Sequence, residues 1–181
     1  DKIVVNKLNF KKEIKKKFNL KSTCIYNPLN KNEIKKKSKS RINFNYFKKS
    51  NLNLIMVARF AEQKDHECLI KSINLIKDKS NIKLLLVGSG NLQKKNFMLI
   101  KKLNLSKYIK IINNKKNSFP YIKMSDAFIL SSKYEGCPNV LLEAITLKKF
   151  IISSDCPTGP SEILDSGKGG ILFKVGNYKM L

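Results

Sequence analysis

Residues 52–77, "LNLIMVARFAEQKDHECLIKSINLIK", open on an apolar run, pass through a polar turn carrying Arg59 and Lys64, and continue as an amphipathic stretch from His66. The same alternation recurs down the chain. "IKLLLVG" (82–88), "YIKII" (108–112), "AFILSS" (127–132) and "FIISSD" (150–155) are short and almost wholly apolar, and amphipathic segments such as "LQKKNFMLIKKL" (92–103) and "NVLLEAITL" (139–147) separate them. Strands lose the apolar/polar alternation when both faces of a sheet are covered, and intervening helices make that sheet parallel. The pattern predicts an α/β, doubly wound, Rossmann-like and mostly parallel sheet of about six strands. In such sheets ligands gather at the carboxyl ends of the strands. The turns after Ala58, Val87, Ile112, Ser132 and Ser154 are therefore where chemistry is expected.

Outward from this core, the first fifty residues read differently. Residues 7–19, "KLNFKKEIKKKFN", suggest a short basic helix with a narrow apolar stripe, and "STCIYNPL" (22–29) reads as a strand ended by Asn27-Pro28. Residues 30–50 are polar and basic with few aliphatics, which predicts a linker or surface segment rather than core. The compact domain is placed at 51–181, after a 1–50 region of basic helix, strand and connector. The absence of methionine before Asp1, and a closing "NYKML" that reads as a helix cut off mid-pattern, give the expectation of a piece of a longer chain.

The 181 residues carry a net charge of +24, with 35 of the 37 basic residues being lysine. Compositional drift toward A- and T-rich codons would produce such a chain; so would selection for an anionic partner, whether nucleotide phosphate, membrane surface or nucleic acid. Four cysteines lie far apart with no C-x-x-C pair, and His66 is the only histidine. A zinc site is not expected, and the cysteines read as small apolar residues in a reducing compartment. No apolar run approaches the roughly 20 residues of a membrane-spanning helix, so a soluble, cytoplasmic protein is expected.

Candidate binding residues cluster in the turns. Gly88 and Gly90 in "VGSGNLQ" permit a tight turn, but the third glycine of a dinucleotide fingerprint would fall on Gln93. A backbone requirement and close approach of a phosphate both remain open there. Arg59 and Lys64 could converge on one anion, although spacing alone favours a solvated pair, and Asp65 is placed to cap the helix starting at His66. In "SSKYEGCPNVLLEA" (131–144), Glu135 precedes a turn and Pro138 suits the first position of the next helix. The N–H groups of Gly136, Cys137, Asn139, Val140 and Leu141 are then candidates for an anion site. Glu143 shares one helical face with Asn139 and Thr146, where geometry alone slightly favours water over a ligand hydroxyl as its partner.

Three motifs in order, Arg59-x4-Lys64, Glu135-x7-Glu143 and "DCPTGPSEIL" (155–164), resemble the retaining nucleotide-sugar glycosyltransferases of family 4, whose architecture is the two-domain GT-B fold. "IYNPLN" (25–30) is similar to that family's interdomain connector. The resemblance implies that 51–181 is the donor-binding half of a GT-B enzyme and that the N-terminal acceptor domain is absent from this chain, leaving the segment alone inactive or nearly so. It implies catalytic roles for Arg59 and Lys64, on the donor diphosphate, and for Glu135, on the hexose hydroxyls. Donor contacts are implied for Glu143 with the ribose, for Gly136, Cys137, Asn139, Val140 and Leu141 around the sugar and diphosphate, and for Gly88, Gly90, Ile112, Asn113 and Asn114. The partners implied are a nucleotide-sugar donor and a glycan or lipid-linked acceptor, with no metal or other cofactor and no nucleic acid. Two departures stand out: Ala58 where the family commonly has glycine, and Cys137 in place of a larger apolar residue.

Rival expectations are a sugar-nucleotide epimerase or phosphorylase on the same fold, and a basic nucleic-acid-binding domain. The first wants acid–base residues that one histidine at a helix start does not supply. The second wants lysines interleaved with exposed aromatics. A peripheral contact of the 7–19 helix with an anionic membrane surface is a further expectation.

Overall fold

The chain is described by a computed structural model at residues 2–79, 81–113 and 115–181, and it builds two parallel sheets. The smaller pairs β1 (Ile3–Val5) with β2 (Ser22–Cys24) across the basic helix α1 (Leu8–Phe18). After α2 (Lys31–Lys37) the larger sheet begins, and its strands are the apolar runs: β3 (Leu52–Val57), β4 (Ile82–Val87), β5 (Ile109–Ile112), β6 (Ala127–Leu130), β7 (Phe150–Ser154) and β8 (Ile171–Phe173). Between them run α3 (His66–Ile76), α4 (Gln93–Lys102), α5 (Phe119–Met124), α6 (Asn139–Thr146) and α7 (Pro160–Ile163). The strand order is β5-β4-β3-β6-β7-β8, parallel throughout, which is the doubly wound Rossmann order. The six-strand expectation is met.

Both faces are covered, as the unbroken apolar runs require. Leu54, Met56, Leu84 and Leu86 pack with Leu69, Ile70, Ile73 and Ile100 of α3 and α4. Their neighbours Ile55, Leu85, Val87, Phe128 and Leu130 point the other way, onto Ile122, Leu141 and Ala144 of α5 and α6. Each large side chain fully withdrawn from water here contributes on the order of 1.5 to 3 kcal/mol.

Residues 30–50 differ from the expected linker. Asn30 caps α2 by accepting the Glu33 N–H at 3.0 Å, Ile34 is buried, and the helix packs on α5 and α6. Phe47 is buried in the second core, and Phe44 stands edge-on to Phe47 at 5.3 Å and to Tyr121 at 5.0 Å. Lys110 lies over the rings of Phe44 and Tyr46, so these lysines and aromatics engage one another. The closing "NYKML" also differs: the Asn177 carbonyl accepts from Met180 and Leu181 at 3.2 Å in a turn, with no helix. No helix among the described residues is long and apolar enough to cross a membrane.

Candidate functional site

The first strand of the sheet, β3, lies beside β6, and the chain turns to opposite sides on leaving the two. A crevice opens where strand order reverses in this way. The turn after β3 carries Arg59 to Asp65, and the turn after β6 carries Ser131 to Pro138, so both stand on one rim. Hydrogen bonds sew the turns together. Lys133 donates its N–H to the Gln63 carbonyl at 2.8 Å, Gln63 Nε2 donates to the Tyr134 carbonyl at 2.8 Å, and Ser131 Oγ donates within reach of the Lys64 and Asp65 carbonyls at 3.0 and 2.9 Å.

Lys64 and Glu135 meet at the centre of this seam. Lys64 Nζ donates to Glu135 Oε1 at 2.5 Å, and Ser132 Oγ donates to the same oxygen at 2.6 Å. The side chains are 17% and 5% exposed, so the carboxylate is buried and the ammonium mostly so. A lysine ammonium has three protons and a carboxylate two oxygens, leaving both partners spare capacity toward the crevice. Arg59 is exposed, with no salt bridge or side-chain hydrogen bond among the described residues. Asp65 caps α3 as expected, its Oδ1 accepting the Cys68 N–H at 3.2 Å. His66 follows in the first turn, stacked on Phe60 at 4.2 Å and buried, with neither ring nitrogen paired among the described residues. Burial, with a smaller push from Lys64, lowers its pKa to about 4.

Helix α6 begins one residue later than expected: Pro138 is its cap, and Asn139 its first residue. The Leu141 N–H donates to the Pro138 carbonyl at 2.9 Å, so it is not free. The N–H groups of Gly136, Cys137, Asn139 and Val140 have no hydrogen-bond partner outside the helix among the described residues. Such amides at a helix start favour an anion. Glu143, one turn further, is half-buried, and desolvation raises its pKa. Asn139 Oδ1 accepts from Asn27 of the connector at 3.0 Å.

The glycines divide by what surrounds them. A side-chain carbon on Gly88 would fall 1.9 Å from the Ala58 carbonyl oxygen, and one on Gly90 would fall 2.5 Å from that of Phe60. Both are demanded by the protein's own backbone, the turn after β3. Gly136 has nothing within 4 Å and faces open space. Ile112 ends β5, its carbonyl accepting the Gly88 N–H at 3.1 Å, and Asn113 Oδ1 accepts from Gln93 at 2.9 Å. Asn114 lies outside the described residues.

A pocket of about 200 Å³ lies beside Gly136 and Cys137, walled by Leu142, Gly159, Glu162 and Ile163 and closed by Asn6, Lys7 and Tyr26 of the N-terminal unit, residues 2–29 around the β1–β2 sheet. Tyr26 donates its hydroxyl to Glu162 Oε1 at 2.6 Å. Cys137 is half-buried there, and desolvation raises its pKa.

A profile of the family described as glycosyl transferases group 1 matches residues 37–181. The chain belongs to that family. A relative, an uncharacterised glycosyltransferase of Methanocaldococcus jannaschii, is 35% identical over 121 residues, 66% of this chain and 30% of its own. The lipopolysaccharide 1,6-galactosyltransferase of Salmonella typhimurium is 42% identical over 55 residues, 30% of this chain and 15% of its own. Among solved structures, Anabaena HepE in complex with UDP superimposes with a TM-score of 0.84 at 19% identity, over 99% of this chain and 51% of that one. The chain thus spans about a third or less of these curated relatives and half of HepE.

Two residues of this candidate site carry no signal in the sequence pattern. Ser132 is one of four serines that close β6 and β7, yet its hydroxyl fixes the Glu135 carboxylate. Thr158 Oγ1 donates to the Glu135 carbonyl at 2.5 Å from a turn 23 residues away. Only the Thr-Gly-Pro run marks that turn, and nothing in it names its partner.

Proposed function

We propose that this group 1 domain seats a nucleotide-diphosphate hexose and, in the intact protein, transfers the hexosyl group with retention to a glycan or lipid-linked acceptor. The observation that carries the reading is the Lys64–Glu135 pair on the rim that also carries exposed Arg59 and the free amides of Gly136, Cys137, Asn139 and Val140. Arg59 and the two remaining protons of Lys64 meet the diphosphate. As the glycosidic oxygen leaves, charge grows on that group, and the cations with the Asn139 and Val140 amides stabilise the transition state more than the ground state, while the Gly136 and Cys137 amides line the sugar. Those donors belong to the protein, so a metal is not called upon, and transfer continues in EDTA.

Glu135 presents its second carboxylate oxygen to the hexose hydroxyls. Glu143, on the same helix as the amides, takes the ribose hydroxyls. The solved relative holding UDP, and the galactosyltransferase among the curated ones, make UDP-hexoses the first donors to test. Titration calorimetry of the intact protein with UDP, UDP-glucose and UDP-galactose provides the test. Arg59→Ala is expected to weaken UDP about tenfold or more, as loss of a charge-assisted contact does, and Glu143→Gln to weaken UDP and both UDP-hexoses alike. Unchanged affinities in both variants overturn the assignment.

A further inference from the structure

The Glu135–Gly136 peptide is held from behind by a chain of donors that begins in the N-terminal unit. Lys7, which precedes α1, donates from Nζ to Thr158 Oγ1 at 2.9 Å, and Thr158 Oγ1 donates to the Glu135 carbonyl at 2.5 Å. The direction is fixed by chemistry. An ammonium only donates, so the threonine oxygen accepts from Lys7 and its single proton goes on to Glu135. A trans peptide sets C=O and N–H on opposite sides of one plane, and none of the described peptides is cis. Tying the Glu135 carbonyl to Thr158 therefore aims the Gly136 N–H the other way, and that N–H has no backbone partner among the described residues.

The turn that carries Thr158 is itself built for this contact. Thr158 adopts φ 66°, a conformation β-branched residues rarely enter. Gly159, at φ 99°, lies so close that a side-chain carbon there would fall 2.7 Å from the Gly136 carbonyl oxygen and 2.8 Å from the Pro138 ring. Lys7 also lines the pocket beside Gly136 and Cys137.

We propose that Lys7 and Thr158 are positioning residues that aim the Gly136 amide at the hexose of the donor, so that the seating of the N-terminal unit sets the readiness of the sugar subsite. The proposal rests on the reading of this turn as the sugar-binding side of the site. It predicts an effect on the hexose and none on the nucleotide diphosphate.

The test uses the intact protein with Thr158→Val, Thr158→Ser and Lys7→Met, titrated with UDP and UDP-galactose. Thr158→Val should weaken UDP-galactose by about tenfold, the equivalent of one well-made hydrogen bond, and leave UDP within about twofold. Thr158→Ser should restore the parent affinity, and Lys7→Met should fall between. In the ligand-free protein the Gly136 amide resonance should move in Thr158→Val and Lys7→Met and return in Thr158→Ser. Equal weakening of UDP and UDP-galactose, failure of serine to rescue, or an unmoved Gly136 amide overturns the relay. If the parent binds UDP but no UDP-hexose, the sugar-subsite reading fails, and the amide shift alone then decides whether the relay exists.

Discussion

Lys64 and Glu135 come from turns 71 residues apart, and removing the charge of one partner asks how much of the site's rigidity their pair supplies. At 2.5 Å their gross attraction is about 7 kcal/mol at an effective dielectric of roughly 20. Desolvation offsets much of it. Deleting one partner is nevertheless severe, because Glu135 is 5% exposed and would keep only the Ser132 hydroxyl on its bonded oxygen. Loss of one member of such a buried pair costs about 3 to 5 kcal/mol. Lys64→Met should show that loss in urea unfolding at pH 7, with an unchanged dependence on denaturant. The double variant with Glu135→Gln should recover about 2 kcal/mol or more relative to the sum of the single changes. The Lys168–Asp165 pair, 80% and 74% exposed, is the control, and Lys168→Met should change nothing measurable. If Lys64→Met behaves like that control, or if the two single changes simply add, the pair does not hold the turns together.

The remaining expectations concern the surrounding scaffold. His66 titrates at 6.5 when unfolded and at about 4 when folded, so between those values the unfolded chain binds more protons and stability falls as pH drops. The loss amounts to at most roughly 3 kcal/mol across that window and nothing above pH 7; His66→Phe should flatten the profile measured by unfolding at pH 5 and 7.5. Gly88→Ala forces a carbon onto the Ala58 carbonyl at 1.9 Å, and the strand or turn must shift at a cost of about 3 kcal/mol or more. A circular dichroism melt matching the parent would show that the turn yields freely. Phe47→Ala should cost about 3 to 5 kcal/mol in the same urea assay, as a core phenylalanine does; a linker residue would cost almost nothing.

The sheet was legible because burial on both faces removes polar residues from its strands. "IKLLLV" and "AFIL" could not serve a sheet with one wet face. Segment 30–50 hides its core residues for the converse reason. Its core contribution comes from Ile34, Phe44, Tyr46 and Phe47 scattered among lysines with no helical or strand period, so nothing separates them from surface aromatics until Tyr121 and the sheet are in place. The closing "NYKML" is ambiguous because three apolar residues in five fit one helical turn as well as they fit the observed turn on Asn177. Arg59, Lys64 and Glu135 could be assigned to one rim from chain order alone, since parallel strands end on the same side. That Lys64 touches Glu135 could not, because it depends on β3 and β6 being neighbours.

That adjacency also answers why so basic a chain keeps an acid out of water. With a net charge of +24, most carboxylates here can lie in solvent, and Glu135 is the only Asp or Glu classed as buried among the described residues. At the reversal of strand order the backbone diverges, α3 to one face and α6 to the other, and among the described residues a single main-chain bond, Lys133 N–H to the Gln63 carbonyl, joins the two turns. Side chains close the rest. A lysine from one turn and a carboxylate from the other close it with opposite charge, directional bonds and unused valences that point into the crevice. An apolar pair of the same volume could hold the turns as firmly, yet it would offer nothing to a phosphate or a hydroxyl. The acid is buried where the fold needs a bridge and the site needs one with polar atoms to spare.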